Sequence, residues 1–179
     1  RDQDALVNDL QLIEANVKRI SRIIRSLLDF ARHNSSEEDW QTVDVVHLVN
    51  QTAELMRHLV EKAGIELAVQ DLSAEPAVIY GNVGEIEQVF LNLLINALQA
   101  TSDGGRIEIS VACEDGRVVA RVSDTGRGIA VAHLPHIFEP FFTTRENQGG
   151  TGLGLAIISG IIEKHNGHID VESEEGVGT

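Results

Sequence analysis

An aliphatic helix interrupted by two asparagines constrains this chain more than any other feature. Residues 84–100 include Glu85-Ile86-Glu87-Gln88-Val89-Phe90-Leu91-Asn92-Leu93-Leu94-Ile95-Asn96-Ala97, and Ser102-Asp103-Gly104-Gly105 then ends the helix. Asn92 and Asn96 lie four residues apart and so share one face. Apolar helices rarely carry two asparagines, because each buried amide needs hydrogen-bond partners. One reading is a satisfied polar pair in the core. The other is a neutral oxygen ligand for Mg²⁺, an ion that keeps several waters and shares its remaining positions with substrate phosphates.

Two glycine clusters help to decide between these readings. Asp124-Thr125-Gly126-Arg127-Gly128-Ile129 follows an apolar stretch, where glycines allow backbone to approach a ligand and the Asp can accept from an exocyclic amine. Gly149-Gly150-Thr151-Gly152-Leu153-Gly154-Leu155 opens a helix, whose free N–H groups and positive dipole end suit phosphates. Neither is a dinucleotide fingerprint or a P-loop: the third glycine of G-x-G-x-x-G is missing, and no Lys-Ser/Thr pair follows. Each cluster alone is equally compatible with a simple turn. With the asparagine helix, in this order, they favour a nucleotide–magnesium site.

Charge sharpens the problem such a site must solve. The formal net charge of −14 argues against a general nucleic-acid binder, which needs clustered Lys and Arg. An anionic ligand must therefore meet donors and a cation that the site itself supplies. The single cysteine, Cys113, excludes an internal disulfide and reads as a structural thiol in an alternating apolar stretch. With no apolar run of transmembrane length and no signal peptide, a cytoplasmic setting is expected. A fragment of a membrane protein would look the same.

Residues 3–33 carry Leu6, Leu10, Ile13, Val17, Ile20, Ile24, Leu27 and Ala31 at alternating spacings of four and three, the seam of a helical bundle. One helix cannot bury that stripe, so a partner helix is expected, from a second chain or from sequence before Arg1. Packing on the following domain is the competing reading. Residues 34–42 are a polar linker, and 43–179 alternate helix and strand. Helices are predicted over 45–62, 84–100 and 151–165. Strands are predicted over 65–70, 77–80, 106–113, 117–124 and 168–173, with Asp115-Gly116 as a hairpin turn. The pattern predicts an α+β, two-layer α/β sandwich with a mixed sheet.

At this point the chain resembles sensor histidine kinases of two-component systems. Residues 85–100 look like their N box and 124–129 like the G1 box. Ile137-Phe138-Glu139-Pro140-Phe141-Phe142-Thr143-Thr144 looks like the F box, and 149–155 like the G2 box. Residues 1–33 are similar to the second helix of their dimerisation and phosphotransfer hairpin. The resemblance implies the Bergerat ATP-binding fold, shared with gyrase, mismatch-repair ATPases and a heat-shock chaperone. It implies ATP and Mg²⁺ as ligands, with Asn96 on the metal, Asn92 supporting it, and Asp124 reading adenine between Gly126, Gly128 and Ile129. Gly150, Gly152 and Gly154 would cradle the phosphates with Leu153 beside them, and Thr151 and Leu155 belong to the implied ATP-binding set. Residues 130–148, with Phe138, Thr143 and Thr144, would be a lid over the nucleotide. Phe138, Phe141 and Phe142 are expected to anchor that lid by packing. Arg145 stands where many relatives place a lysine that approaches the γ-phosphate, and the two side chains are not interchangeable at such a site.

The fold alone does not choose the acceptor of a phosphoryl group. Hydrolytic relatives carry a Glu four residues before the magnesium Asn, where this chain has Asn92; this favours a kinase, although Glu85 and Glu87 remain as candidate bases. None of the histidines at 33, 47, 58, 133, 136, 165 and 168 stands in a His-Glu/Asp-x-x-Asn/His-Pro context. His165 and His168 read as turn residues, and His33 as a helix cap. The acceptor histidine is expected upstream of Arg1 and a final strand beyond Thr179, so the chain reads as a fragment.

The expected function is thus the donor half of a histidine kinase, homodimeric through residues 3–33, with a response regulator receiver domain as partner and membrane contact only through a sensor region elsewhere. A nucleotide-binding or dimerisation module without transfer activity is the alternative. A same-fold serine kinase such as an anti-sigma factor is disfavoured by the heptad helix.

Overall fold

The computed structural model describes residues 39–145 and 150–179. The helix and dimer contacts expected within 1–33, and the linker up to residue 38, lie outside these. The described part begins with strand β1 (Trp40–Asp44) and helix α1 (Val45–Lys62), followed by β2 (Glu66–Asp71) and β3 (Val78–Asn82). Helix α2 (Val83–Ala100), the hairpin β4 (Arg106–Glu114) and β5 (Arg117–Asp124), and helix α3 (Gly154–Lys164) complete it.

Local chemistry sets the boundaries. Asp44 and Asn82 cap α1 and α2 by accepting from the backbone N–H of His47 and Glu85 at 2.9 and 3.0 Å. Asp115 and Gly116 both take positive φ, 51° and 75°, the requirement of a type I′ turn, and β4 and β5 pair from Glu114–Arg117 onward. β2 lies parallel to β4 and β5 antiparallel to it, so this sheet is mixed; β1 and β3 form a separate antiparallel pair.

On β4, Ile107, Ile109 and Val111 alternate onto one buried face. That face meets Leu48, Val49, Met56 and Val60 of α1, Val89, Phe90 and Leu94 of α2, and Ile157, Ile158 and Ile161 of α3. The result is the expected α+β, two-layer arrangement.

Three expectations are corrected. Trp40, Gln41 and Thr42, assigned to the linker, belong to β1 and pair with Asn82, Gly81 and Tyr80. Only Val43 of that strand is buried, so its alternation is too weak to mark it. The strand expected over 168–173 makes no ladder; its alternation of half-buried Ile169 and Val171 with exposed neighbours reports burial without a pairing partner. The last helix starts at Gly154 rather than 151, because Gly152 has φ +66° and cannot belong to an α-helix.

His165 lies in the turn after α3, as expected, and its side chain is a buried pin between α3 and the β1–β3 pair. Its side chain is 5% exposed, Nδ1 donates to the Ile161 carbonyl at 2.8 Å, and Nε2 accepts from the Asn82 N–H at 3.1 Å. Its ring stacks on Trp40 at 4.6 Å between centroids and 7° between planes. His165→Ala will leave the Asn82 N–H unpaired and a void beneath Trp40, a cost of about 2–4 kcal/mol. Urea unfolding followed by the emission of Trp40, the chain's single tryptophan, checks this; an unshifted midpoint would refute it.

Candidate functional site

The C-terminal half of α2 is the centre around which the predicted residues gather. Asn96 is half-buried there, and its Oδ1 accepts from Arg145 Nη2 at 3.4 Å, while the other arm of the Arg145 guanidinium donates to Gln99 Oε1. Asn92 lies one turn earlier, half-buried, its amide without a hydrogen-bond partner among the described residues. Across from Asn96, a Cβ added at Gly154 would lie 4.0 Å from Asn96 Nδ2. Gly154 is the first residue of α3, and no side chain caps that helix. Its first N–H groups therefore open beside Asn96.

Asp124 ends β5, and the loop after it packs on the end of α2 through Gly126. One carboxylate oxygen accepts from the Gly126 N–H at 2.8 Å, and the second oxygen has no protein partner among the described residues. Burial raises its pKa above the ordinary carboxylate value, with the Gly126 N–H pulling the other way. The backbone of Asp124 pairs with Thr179 in both directions, at 2.8 and 3.2 Å, and Ile129 N–H donates to Ser173 Oγ at 2.8 Å.

Most of the glycines serve the protein's own packing. A Cβ at Gly126 would meet the Ala100 carbonyl at 2.6 Å, and one at Gly128 the Glu174 carbonyl oxygen at 2.0 Å. Gly126 and Gly128 thus wedge the loop between the end of α2 and the C-terminal turn. Likewise Gly152 abuts the backbone of Phe141, whose N–H donates to the Gly152 carbonyl at 2.8 Å. Gly150 sits against Thr143 Oγ1, which also accepts from Arg145 N–H at 3.1 Å. Residues 141–145 and 150–152 are thereby pinned together.

Of the ATP-binding residues expected over 150–155, Gly154 faces Asn96, whereas Leu153 is 1% exposed and belongs to the core. Leu155 packs partly buried against that core, and Thr151 Oγ1 accepts from Leu153 N–H at 3.4 Å. Of the phenylalanines, Phe142 packs against His133 and His136, and Phe138 is half-buried. The ring of Phe141 is exposed, so Phe141 holds its place through its backbone rather than by packing. Thr144 is exposed, and the expected lid is described only as far as Arg145.

Glu85 is not a base for chemistry at Asn96. It is buried, ion-paired with Lys164 Nζ at 2.8 Å, and eleven residues away along α2, roughly 16 Å by helical rise. Among the described residues, no group of three or more His, Cys, Asp or Glu could hold a metal ion. The tie between Arg145 and Gln99 is a contact that sequence reading missed, since Gln99 carries no motif.

An open helix start and a half-buried asparagine thus meet on an α+β domain with a mixed sheet, whose β5 ends in Asp124. The profile of the histidine kinase-, DNA gyrase B-, and HSP90-like ATPases matches residues 81–179. The chain belongs to this family. It is 36% identical over 176 residues to sensor histidine kinase RppB of Synechocystis sp., covering 95% of this chain and 38% of that protein. It is 35% identical over 179 residues to sensor histidine kinase ZraS of Klebsiella oxytoca, covering 98% and 37%. The chain thus spans under two-fifths of these relatives. Among solved structures, the nucleotide-free catalytic domain of histidine kinase ThkA superposes with a TM-score of 0.70 at 30% identity, over 78% of this chain and 90% of that one. Full-length ShkA in complex with AMPPNP gives 0.76 at 34% identity, over 88% and 33%.

Proposed function

We propose that this chain is the ATP-binding part of a sensor histidine kinase, holding Mg²⁺–ATP and donating its γ-phosphoryl group to a histidine on a helix outside the chain. The observation that carries the reading is the uncapped start of α3 beside Asn96, with Arg145 reaching the same amide. In a chain of net charge −14, that helix end and that guanidinium supply the donors that an anionic ligand needs. Asn96 would give Mg²⁺ a neutral oxygen, and the lack of a convergent acidic cluster among the described residues suits an ion that takes its other ligands from phosphates and water. When bound, Mg²⁺ neutralises charge developing on the transferred phosphoryl group.

In this reading Asp124 accepts from the adenine amine with its free carboxylate oxygen, and Arg145 turns toward the γ-phosphate. Glu85 is ion-paired with Lys164, and Asn92 rather than a Glu stands one turn before Asn96, where hydrolytic relatives carry their water-activating carboxylate; this favours transfer over hydrolysis. The phosphoryl group would pass onward to a response regulator aspartate, from a homodimer formed through residues 3–33 in the cytoplasm. No helix among the described residues is long and apolar enough to cross a membrane.

The test extends the chain upstream through the preceding helix and incubates it with γ-labelled ATP and magnesium. Acid-labile, alkali-stable label is expected, and Asn96→Ala should reduce it by about a hundredfold or more, the usual cost of losing one transition-state charge stabiliser. Mg-ATP binding without label would select the non-transferring module, and no binding at all would end both readings.

A further inference from the structure

We infer that the Arg145 guanidinium is a placeholder at Asn96 for Mg²⁺, parked there by Gln99 and given up when Mg²⁺–ATP binds. The inference deepens the Mg²⁺–ATP reading above and rests on it. What it adds is a positioning role for Gln99 and an exchange of two cations at one oxygen.

Arg145 Nη2 donates to Asn96 Oδ1 at 3.4 Å, and Nη1 donates to Gln99 Oε1. The two acceptors are three residues apart near the C-terminal end of α2, and so lie on one side of it. A guanidinium has only donors, so the atom it reaches on Asn96 is the amide oxygen. The amide nitrogen faces Gly154, 4.0 Å from where a Cβ there would lie. Arg145 therefore keeps the oxygen of Asn96, and not its NH₂, turned toward the place a cation would take. The backbone of Arg145 is held separately: its N–H donates to Thr143 Oγ1 at 3.1 Å, and its carbonyl accepts from the Gly150 N–H at 3.0 Å. The side chain can swing while the loop stays pinned.

One oxygen cannot serve both cations. Mg²⁺ sits about 2.1 Å from its ligands, so an ion on Oδ1 would lie at most about 5.5 Å from Nη2. In a half-buried setting that repulsion is strong, and Arg145 must leave as the metal arrives. Its two ties are unequal. The bond to Asn96 is long, whereas the bond to Gln99 is short, so Gln99 carries the hold. Both acceptors are neutral amides, and a phosphate is the stronger acceptor for a planar guanidinium fork. A triphosphate arriving with its metal would draw Arg145 off, and the metal would take the oxygen thus uncovered.

Calorimetric titration of the chain with Mg-ATP and with adenosine tests this, with thermal melts confirming that each variant folds. Gln99 is exposed, so its replacement leaves the core intact. Gln99→Ala should bind Mg-ATP about three- to fivefold more tightly, the worth of one ordinary hydrogen bond that binding no longer has to break. Adenosine, which brings neither phosphate nor metal, should bind as it does to wild type. In an Arg145→Ala background the Mg-ATP gain should vanish, because no guanidinium is left to park. Unchanged Mg-ATP affinity in Gln99→Ala would mean that Gln99 holds nothing the ligand must displace. Weaker binding would place Gln99 among the contacts of the bound nucleotide. Either result overturns the placeholder, as would a matching gain for adenosine or a gain that persists without Arg145. Failure of the wild-type chain to bind Mg-ATP would instead remove the functional reading itself.

Discussion

Replacing Asp124 with asparagine will weaken Mg-ATP binding by roughly ten- to a hundredfold, the worth of a hydrogen bond to a charged group, while leaving the ligand-free fold no less stable. The carboxylate has two acceptor oxygens. One is committed to the Gly126 N–H at 2.8 Å; the other has no protein partner among the described residues and, under the proposed function, accepts from the adenine amine. Asparagine offers one oxygen and an NH₂, so either Gly126 or the adenine amine would face a donor. The same substitution should narrow the preference for ATP over GTP, because a carboxylate repels the guanine carbonyl and an amide does not.

Stability moves the other way. Burial raises the folded-state pKa of Asp124 above its ordinary value of 3.8, so the folded protein holds this proton more tightly than the unfolded chain. Its ionised form therefore works against folding, increasingly as pH rises from 3.8 through the folded-state value. Asp124→Asn removes that penalty. The melting temperature of the variant relative to wild type should rise between pH 4 and pH 7 and then level off. Unchanged ATP affinity would remove Asp124 from the ligand site, and a variant that melts lower at pH 7 would contradict the assigned direction.

Long-period features of the fold were legible, and long-range ones were not. The helix over 84–100 was readable because its apolar residues recur on a helical period and its asparagines break it on one face. The β4–β5 hairpin was readable because Asp115-Gly116 can hardly be anything but a turn. β1 was missed because one buried residue in five gives no alternation to detect. His165 is in the expected turn, but its buried role was illegible for a different reason. Its partners Trp40 and Asn82 lie far away in the chain, the latter 83 residues distant, and nothing local marks a histidine as a pin.

The candidate site divides along the same line. Residue types at Asn96, Asp124 and Gly154 suggest a ligand because polar groups and an open helix end are costly without one, and the fold brings Asn96 and Gly154 together. Leu153 looked identical in kind to its glycine neighbours' companion and is core, since sequence cannot say which way one side chain in a loop turns. Glycines revealed that something comes close at 126, 128, 150 and 152, but only the folded chain shows that it is Ala100, Glu174, Thr143 and Phe141. A glycine-rich box can therefore shape a site by letting loops interlock behind it.

That distinction gives the second large effect: Gly128→Ala will destabilise the protein by about 3 kcal/mol, combining the backbone and crowding costs. Gly128 holds φ at +65°, and the new Cβ would lie 2.0 Å from the Glu174 carbonyl oxygen and 2.7 Å from its carbon. Neither neighbour is the end of a flexible side chain. To make room, the 174–178 turn must move from Arg127, and that movement breaks the Gly176 N–H bond to the Arg127 carbonyl at 2.7 Å. It also strains the Ser173 Oγ bond to Ile129 N–H at 2.8 Å. For a protein of this size the loss corresponds to a melting temperature lower by roughly 6–12 °C. Gly116→Ala is the control. Its φ of +75° is as unfavourable to alanine, yet no atom lies within 4 Å of the added carbon, so it should cost only about 1 kcal/mol. If the two variants melt together, crowding against Glu174 contributes nothing, and the interlocked loops do not hold this site in place. If Gly128→Ala alone falls sharply, and its ATP affinity falls with it at temperatures where it is still folded, the glycines of this loop act through packing.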